Sequence, residues 1–164
     1  MIILGIDPGL GTMGWGVIDT DGIRNRIVQY GAILTTPGQP LPQRLRTIHM
    51  GVDQLMRTFR PEEVAFEELF FSKNITTGIA VGAARGVALE TVAEYTDNMF
   101  EYTPMQIKQA ITGYGKADKP QMQQMVKLLL KLDEVPRPDD AADALACAIT
   151  HANSRLAADE FRIK

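Results

Sequence analysis

Residues 2–6, Ile-Ile-Leu-Gly-Ile, form an apolar run that breaks off at Asp7-Pro8-Gly9. The run lacks helical spacing, and its length suits a strand buried on both faces, the kind found in the middle of a sheet flanked by helices. Pro8 stops the ladder, and Gly9 and Gly11 permit a tight turn. Asp7 is thereby projected from the C-terminal end of a core strand, where open α/β sheets gather their ligands. On this stretch alone, an Asp that merely caps its own turn accounts for the pattern equally well.

A chain of 164 residues, 45% apolar, is long enough for a real core, and residues 1–164 are expected to form a single domain. The lone cysteine, Cys147, excludes an internal disulfide framework and fits a reducing compartment. No apolar run approaches the roughly 20 residues that span a bilayer. The opening residues lack a basic segment followed by a signal-peptide core, so a cytoplasmic location is expected. The net charge of −3 argues at first against nucleic acid. Neutralising four carboxylates with bound cations would reverse its sign.

Along the chain, Gly14–Asp19 and Arg24–Leu34 read as strands joined by the turn signal Asp21-Gly22. From Leu41 the pattern becomes helical, with Leu45, Ile48, Val52, Leu55, Met56 and Phe59 at intervals of three and four until Pro61. Val64–Phe71 is a further strand. Ile75–Tyr95 is a helix whose many Gly and Ala residues imply close packing against a neighbour. Met99–Tyr102 is the last strand, and helices follow at Pro104–Thr112, Pro120–Leu132 and Asp140 to about Ala157. Three consecutive strands followed by alternating elements predict an α/β fold: a five-stranded mixed sheet flanked by helices on both faces, with the first strand near its centre.

Acids occur at three places where a core element should be apolar: Asp7, Glu67-Glu68, and Asp139-Asp140-Ala141-Ala142-Asp143. Strand alternation sends Glu67 and Glu68 to opposite faces without saying which is functional. Asp139, after Pro138, is the expected N-cap, leaving Asp140 and Asp143 on the first turn and on one helix face. Helix N-termini attract acids for their dipole alone, which suffices for Asp139. The whole set, spread over two strands and a helix, suits a hard cation such as Mg²⁺ or Mn²⁺. Two such ions about 4 Å apart can assist phosphodiester cleavage. His151 lies eight residues past Asp143, about 12 Å along a helix axis and too far to share an ion with it. His49 reads as a surface or boundary residue. Phe70 and Phe71 read as core, or as aromatics able to stack on an unpaired base. Lys116 and Lys119, beside Gly113-Tyr114-Gly115, are better placed than most lysines to meet phosphate.

Gly5-Ile6-Asp7-Pro8-Gly9, Ala65-Phe66-Glu67, Ala84-Arg85-Gly86-Val87-Ala88 and Asp140-Ala141-Ala142-Asp143-Ala144-Leu145-Ala146, in this order, resemble the RuvC family of Holliday-junction resolvases. Phe70, Lys73-Asn74, Lys108-Gln109 and Leu129–Leu132 extend the resemblance, which covers about residues 2–153. It implies a ribonuclease-H-like fold and a homodimer that nicks four-way junctions symmetrically in recombination and repair, using Mg²⁺ or Mn²⁺ with two ions per site. It selects Asp7, Glu67, Asp140 and Asp143 as catalytic and metal-binding residues. It assigns Phe70, Lys73, Lys108 and Lys119 to DNA, and implies the branch-migration proteins RuvA and RuvB as partners. Lys116 departs from the family pattern, which has a small residue there.

Other classes fit less well. An actin-like ATPase shares the opening turn, but 164 residues leave no room for a second nucleotide-binding half. A YqgF-like nuclease shares the same turn, yet Glu67 with Asp140-Ala141-Ala142-Asp143 resembles RuvC more closely. A non-catalytic junction-binding module has no need of intact acids.

Overall fold

The computed structural model describes residues 1–69 and 75–164. β1 (Ile2–Asp7), β2 (Thr12–Thr20) and β3 (Asn25–Leu34) form an antiparallel meander; β4 (Glu63–Glu67) and β5 (Met99–Tyr102) add in parallel on the other side of β1. The sheet order is β3-β2-β1-β4-β5, so the apolar opening strand is central, as expected. The hairpin turn is held by Asp21, whose Oδ1 accepts from the amides of Ile23 and Arg24, and by Gly22 at φ 91°.

Alternation along the strands builds two cores. Leu4, Ile6, Met13, Val17, Val64 and Phe66 face α1 (Leu41–Phe59) and α2 (Ile75–Ala93). Ile3, Ala65, Phe100 and Tyr102 face α3 (Pro104–Thr112), α4 (Lys119–Leu129) and α5 (Asp139–Ser154). The α5 helix is seated directly on β1 and β2. Gly5, Gly14 and Gly16 supply the room, and a Cβ on Gly14 would stand 2.0 Å from the Asp140 carbonyl oxygen. Ala141, Ala142, Ala144, Ala146 and Ala148 keep the helix thin where it is buried.

Several bounds shift, α4 ending at Leu129 rather than Leu132 among them. The β4 strand ends at Glu67 rather than Phe71, because its neighbour β5 ends at Tyr102, the residue paired with Glu67. Pro138, not Asp139, holds the N-cap position of α5; Asp139 is the first helical residue, and its carboxylate pairs instead with the Arg137 guanidinium. The α4 helix starts at Lys119, one residue early, because Asp118 caps it reciprocally with Gln121. In α2, Ala84 and Ala88 are buried against α1, as the small residues of that stretch imply, while Gly82 and Gly86 face open space. Beyond α5, a 3₁₀ segment (Arg155–Phe161) leads to Arg162 and Ile163, which lie along the outer side of β5.

Candidate active site

The β1 and β4 strands run parallel, with Ile6 beside Phe66, so Asp7 and Glu67 leave the same end of adjacent strands. Glu63, Ala65 and Glu67 share the face toward α5, which decides between the neighbouring glutamates: Glu67 faces α5 and Glu68 does not. Asp7 pairs in register with Gly14, whose bare Cα admits the first turn of α5 at Asp140. Asp143 then follows one turn on, toward β4. Two central strands and one helix start thus bring Asp7, Glu67, Asp140 and Asp143 together, as the sequence reading expects.

The electrostatics record that convergence. Burial pushes the Asp7 carboxyl up to about 9, reinforced by Glu67, Asp143 and Asp140. Glu67 rises to about 7, from burial first and then from Asp143, with Lys108 and Lys119 pulling the other way. Asp143 is also raised by burial, against the pull of Lys119. The Lys119 ammonium lies 3.4 Å from Asp143 and 3.7 Å from Asp139. Burial works against its charge, but the carboxylates outweigh that and leave it raised.

Beside the acids a cleft of about 270 Å³ is lined by Glu67, Asp143, Lys108 and Lys119, with Ile107 and Met122 among its apolar walls. Lys116 does not enter it: the short turn before α4 buries Ala117 and leaves Lys116 exposed. Phe70 and Lys73 lie outside the described residues.

The donor set fits a hard divalent cation. It is oxygen-only, it sets four carboxyl groups against two lysines, and burial makes ionising all four costly without a counter-ion. No three of the acids come within 4.8 Å of one another; among the described residues only His49 of α1, Glu90 of α2 and Glu94 just after α2 do so.

Several contacts have no simple sequence signal. His151 is fully buried, with Nδ1 2.8 Å from the Tyr102 hydroxyl and Nε2 2.8 Å from Glu63. His49 Nδ1 lies 2.9 Å from Thr91 Oγ1, and Arg85 ties α2 to Glu101 of β5 at 2.5 Å. The glycines under α5 did have a signal: Gly14-Trp15-Gly16 repeats at the strand period and marks one face as closely approached.

A mixed sheet with carboxylates at the ends of its two central strands, completed by a helix laid across them, defines a nuclease of the ribonuclease-H-like class. The sequence model of the family described as Crossover junction endodeoxyribonuclease RuvC matches residues 3–151. The RuvC of Rubrobacter xylanophilus is 58% identical over 153 residues, 93% of this chain and 86% of its own. That of Alkaliphilus oremlandii is 51% identical over 164 residues, all of both chains. The structure of Thermus thermophilus RuvC in complex with Holliday junction substrate matches with a TM-score of 0.91 at 39% identity, covering 96% of this chain and 97% of that one. The chain belongs to the RuvC family of crossover junction endodeoxyribonucleases.

Proposed function

We propose that this chain resolves four-way DNA junctions by nicking two opposed strands symmetrically, with divalent metal held by Asp7, Glu67, Asp140 and Asp143. The observation that carries the reading is the meeting of these carboxylates beside a cleft that also holds Lys108 and Lys119. When bound, Mg²⁺ or Mn²⁺, two ions per site, supplies Lewis acidity and offsets negative charge at the scissile phosphate. The residues do the rest. Asp7 and Glu67, fixed on adjacent strands, and Asp140 and Asp143, fixed by the seating of α5, would supply the oxygen ligands from rigid elements. Lys119, held by Asp143 and Asp139, and Lys108 across the cleft receive backbone phosphates. Phe70 and Lys73 are assigned to the junction by the family resemblance alone; Lys116, which departs from the family pattern, is assigned to phosphate only by its exposed place beside Gly113-Tyr114-Gly115.

The chain acts as one domain, in the cytoplasm, as a homodimer working with RuvA and RuvB. A substrate with two equivalent strands calls for two sites related by a twofold axis. The exposed side of α2 supports such pairing: Ile75 and Ile79 are 80% and 69% exposed, and Gly82 and Gly86 leave space for a close partner. No helix is long and apolar enough to cross a membrane among the described residues.

The test is to incubate the protein with a four-way junction and a matched linear duplex, with and without Mg²⁺, and map the cuts. Paired, symmetric, metal-dependent nicks confined to the junction are expected. Tight junction binding with no cut in either metal would instead favour a junction-binding module.

A further inference from the structure

At the end of the sheet away from Asp7, the β2–β3 turn and the far end of α4 enclose a groove of about 510 Å³. Arg24 and Arg26 line it from the turn, Lys131 from beyond α4, and Asn153 from α5. All three cations are exposed, and among the described residues none has an ion-pair or side-chain hydrogen-bond partner. Asp21, in the same turn, uses its carboxylate on the backbone amides of Ile23 and Arg24. The same carboxylate also faces Arg24 and Arg26, so the groove sets three cations against one acid and stays positive on balance, on a chain whose net charge is −3.

The α4 helix connects this groove to the active site. It begins at Lys119, 3.4 Å from Asp143, and ends at Leu129, itself part of the groove wall. Gln123 and Lys127 follow Lys119 at intervals of four along one face, while Met122 and Val126 turn into the core. The 11 residues of α4 span about 16 Å at 1.5 Å per residue. That is about five steps of a DNA strand at 3.4 Å each. A polyanion lying at Lys119 and running along α4 meets Arg24, Arg26 and Lys131 next.

We infer that Arg24, Arg26 and Lys131 grip the phosphate backbone of a junction arm about five base pairs from the cut. The inference rests on the resolvase reading above and extends its DNA footprint beyond the catalytic cleft. The grip positions the arm and carries no sequence information, since only phosphates are touched. It contributes to binding and to its salt dependence, and not to the chemical step.

The test compares the parent with a triple variant, Arg24→Gln, Arg26→Gln and Lys131→Asn. Asn suits position 131, where φ is 54°. Binding is measured by anisotropy in Ca²⁺ over a range of salt, on junctions with arms of about 15 and about 4 base pairs, the shorter falling short of the groove. On long arms the variant should bind roughly tenfold or more weakly at 0.1 M salt, and its salt slope should be smaller by about three. On short arms it should match the parent, and its nicking rate on saturating long-arm junction should be unchanged. Parent-like binding to long arms would overturn the inference and leave the groove to an acidic protein segment. An equal loss on short arms would overturn it too, as a general charge effect. Should the parent itself neither bind nor nick junctions, the resolvase reading fails first and takes this grip with it.

Discussion

Gly5 of β1 and Ala144 of α5 meet through bare backbone: a Cβ at position 5 would lie 2.0 Å from the Ala144 carbonyl oxygen and 2.9 Å from the Ala148 amide nitrogen. Both obstacles are main chain, so neither can swing aside. Gly5→Ala should lift α5 from the sheet, costing about 1–3 kcal/mol, and carry Asp140 and Asp143 away from Asp7. Urea denaturation and a nicking assay should record both losses. A variant as stable and active as the parent would contradict this seating.

Gly82 and Gly86 give the opposite expectation. Open space surrounds both, inside a helix. Gly82→Ala should stabilise the isolated fold by about 0.5–1 kcal/mol. If α2 also forms the proposed dimer face, the same methyl should weaken association in sedimentation at micromolar concentration. A monomeric parent that still makes paired cuts would remove the dimer from the proposal.

The acid site predicts a pH dependence that metal abolishes. Asp7 is held at about 9 and Glu67 at about 7, both above their ordinary values. A group raised in the folded state lends stability that is full below its unfolded pKa, near 4, and is lost as pH climbs through the folded one. Metal-free protein should therefore melt at lower temperature as pH rises from about 7 to about 9. Asp7→Asn should flatten that decline and melt higher than the parent at the alkaline end, while Mg²⁺ should restore the parent. The reverse order of melting temperatures would mean that the carboxylates are not in mutual repulsion.

For catalysis the same substitution runs the other way. Asp7→Asn, Glu67→Gln, Asp140→Asn and Asp143→Asn should each slow nicking by about 10²–10³-fold or more, with junction binding kept in a gel shift with Ca²⁺. Glu68→Gln and Asp139→Asn are the neighbours that should keep most activity. A dead Glu68→Gln beside an active Glu67→Gln would show that the strand face is misassigned.

The buried Tyr102–His151–Glu63 chain slopes in the other direction. Burial lowers the His151 pKa, so the unfolded chain takes up the proton more readily. Stability from this group is intact above about 6.5 and falls as pH drops below it. Between about pH 5 and 6.5, His151→Gln should lose less stability than the parent does. Tyr102→Phe, which leaves His151 Nδ1 without its partner, should cost about 1–3 kcal/mol. If neither variant alters the acid limb of a melting curve, the relay has no energetic role.

The central strand and Asp7 were legible because a five-residue apolar run ended by Pro-Gly admits few other folds. The Ala-rich last helix was legible for a similar reason. Glu67 was not separable from Glu68 by residue pattern: alternation yields two faces, and only the position of α5 over Ala65 shows which one lies beside Asp140 and Asp143. Asp139 misled because its cap signal is local, whereas its carboxylate answers to Arg137 and Lys119. Adjacency to a glycine loop did not say that Lys119 rather than Lys116 lines the cleft. The Glu63–His151 contact joins residues 88 apart, beyond any periodicity.

Arg162 and Ile163 lie against β5, with Phe100 bridged to Arg162 and the Ile163 amide donating to Met99 O at 3.0 Å. The rim at Met99 and Phe100 is thereby covered, and β3 is the other edge strand of the sheet. That rim begins with exposed Arg26, with Arg24 just ahead of it, and it pairs with β2 through an irregular register at Val17/Ile18. Charge and a kink at that rim are what keep a flat sheet from recruiting copies of itself edge to edge. The two rims are thus guarded differently: Arg162 and Ile163, which touch neither metal nor phosphate in the proposed chemistry, cover β5, while the charge on β3 comes from arginines that the proposed grip also uses.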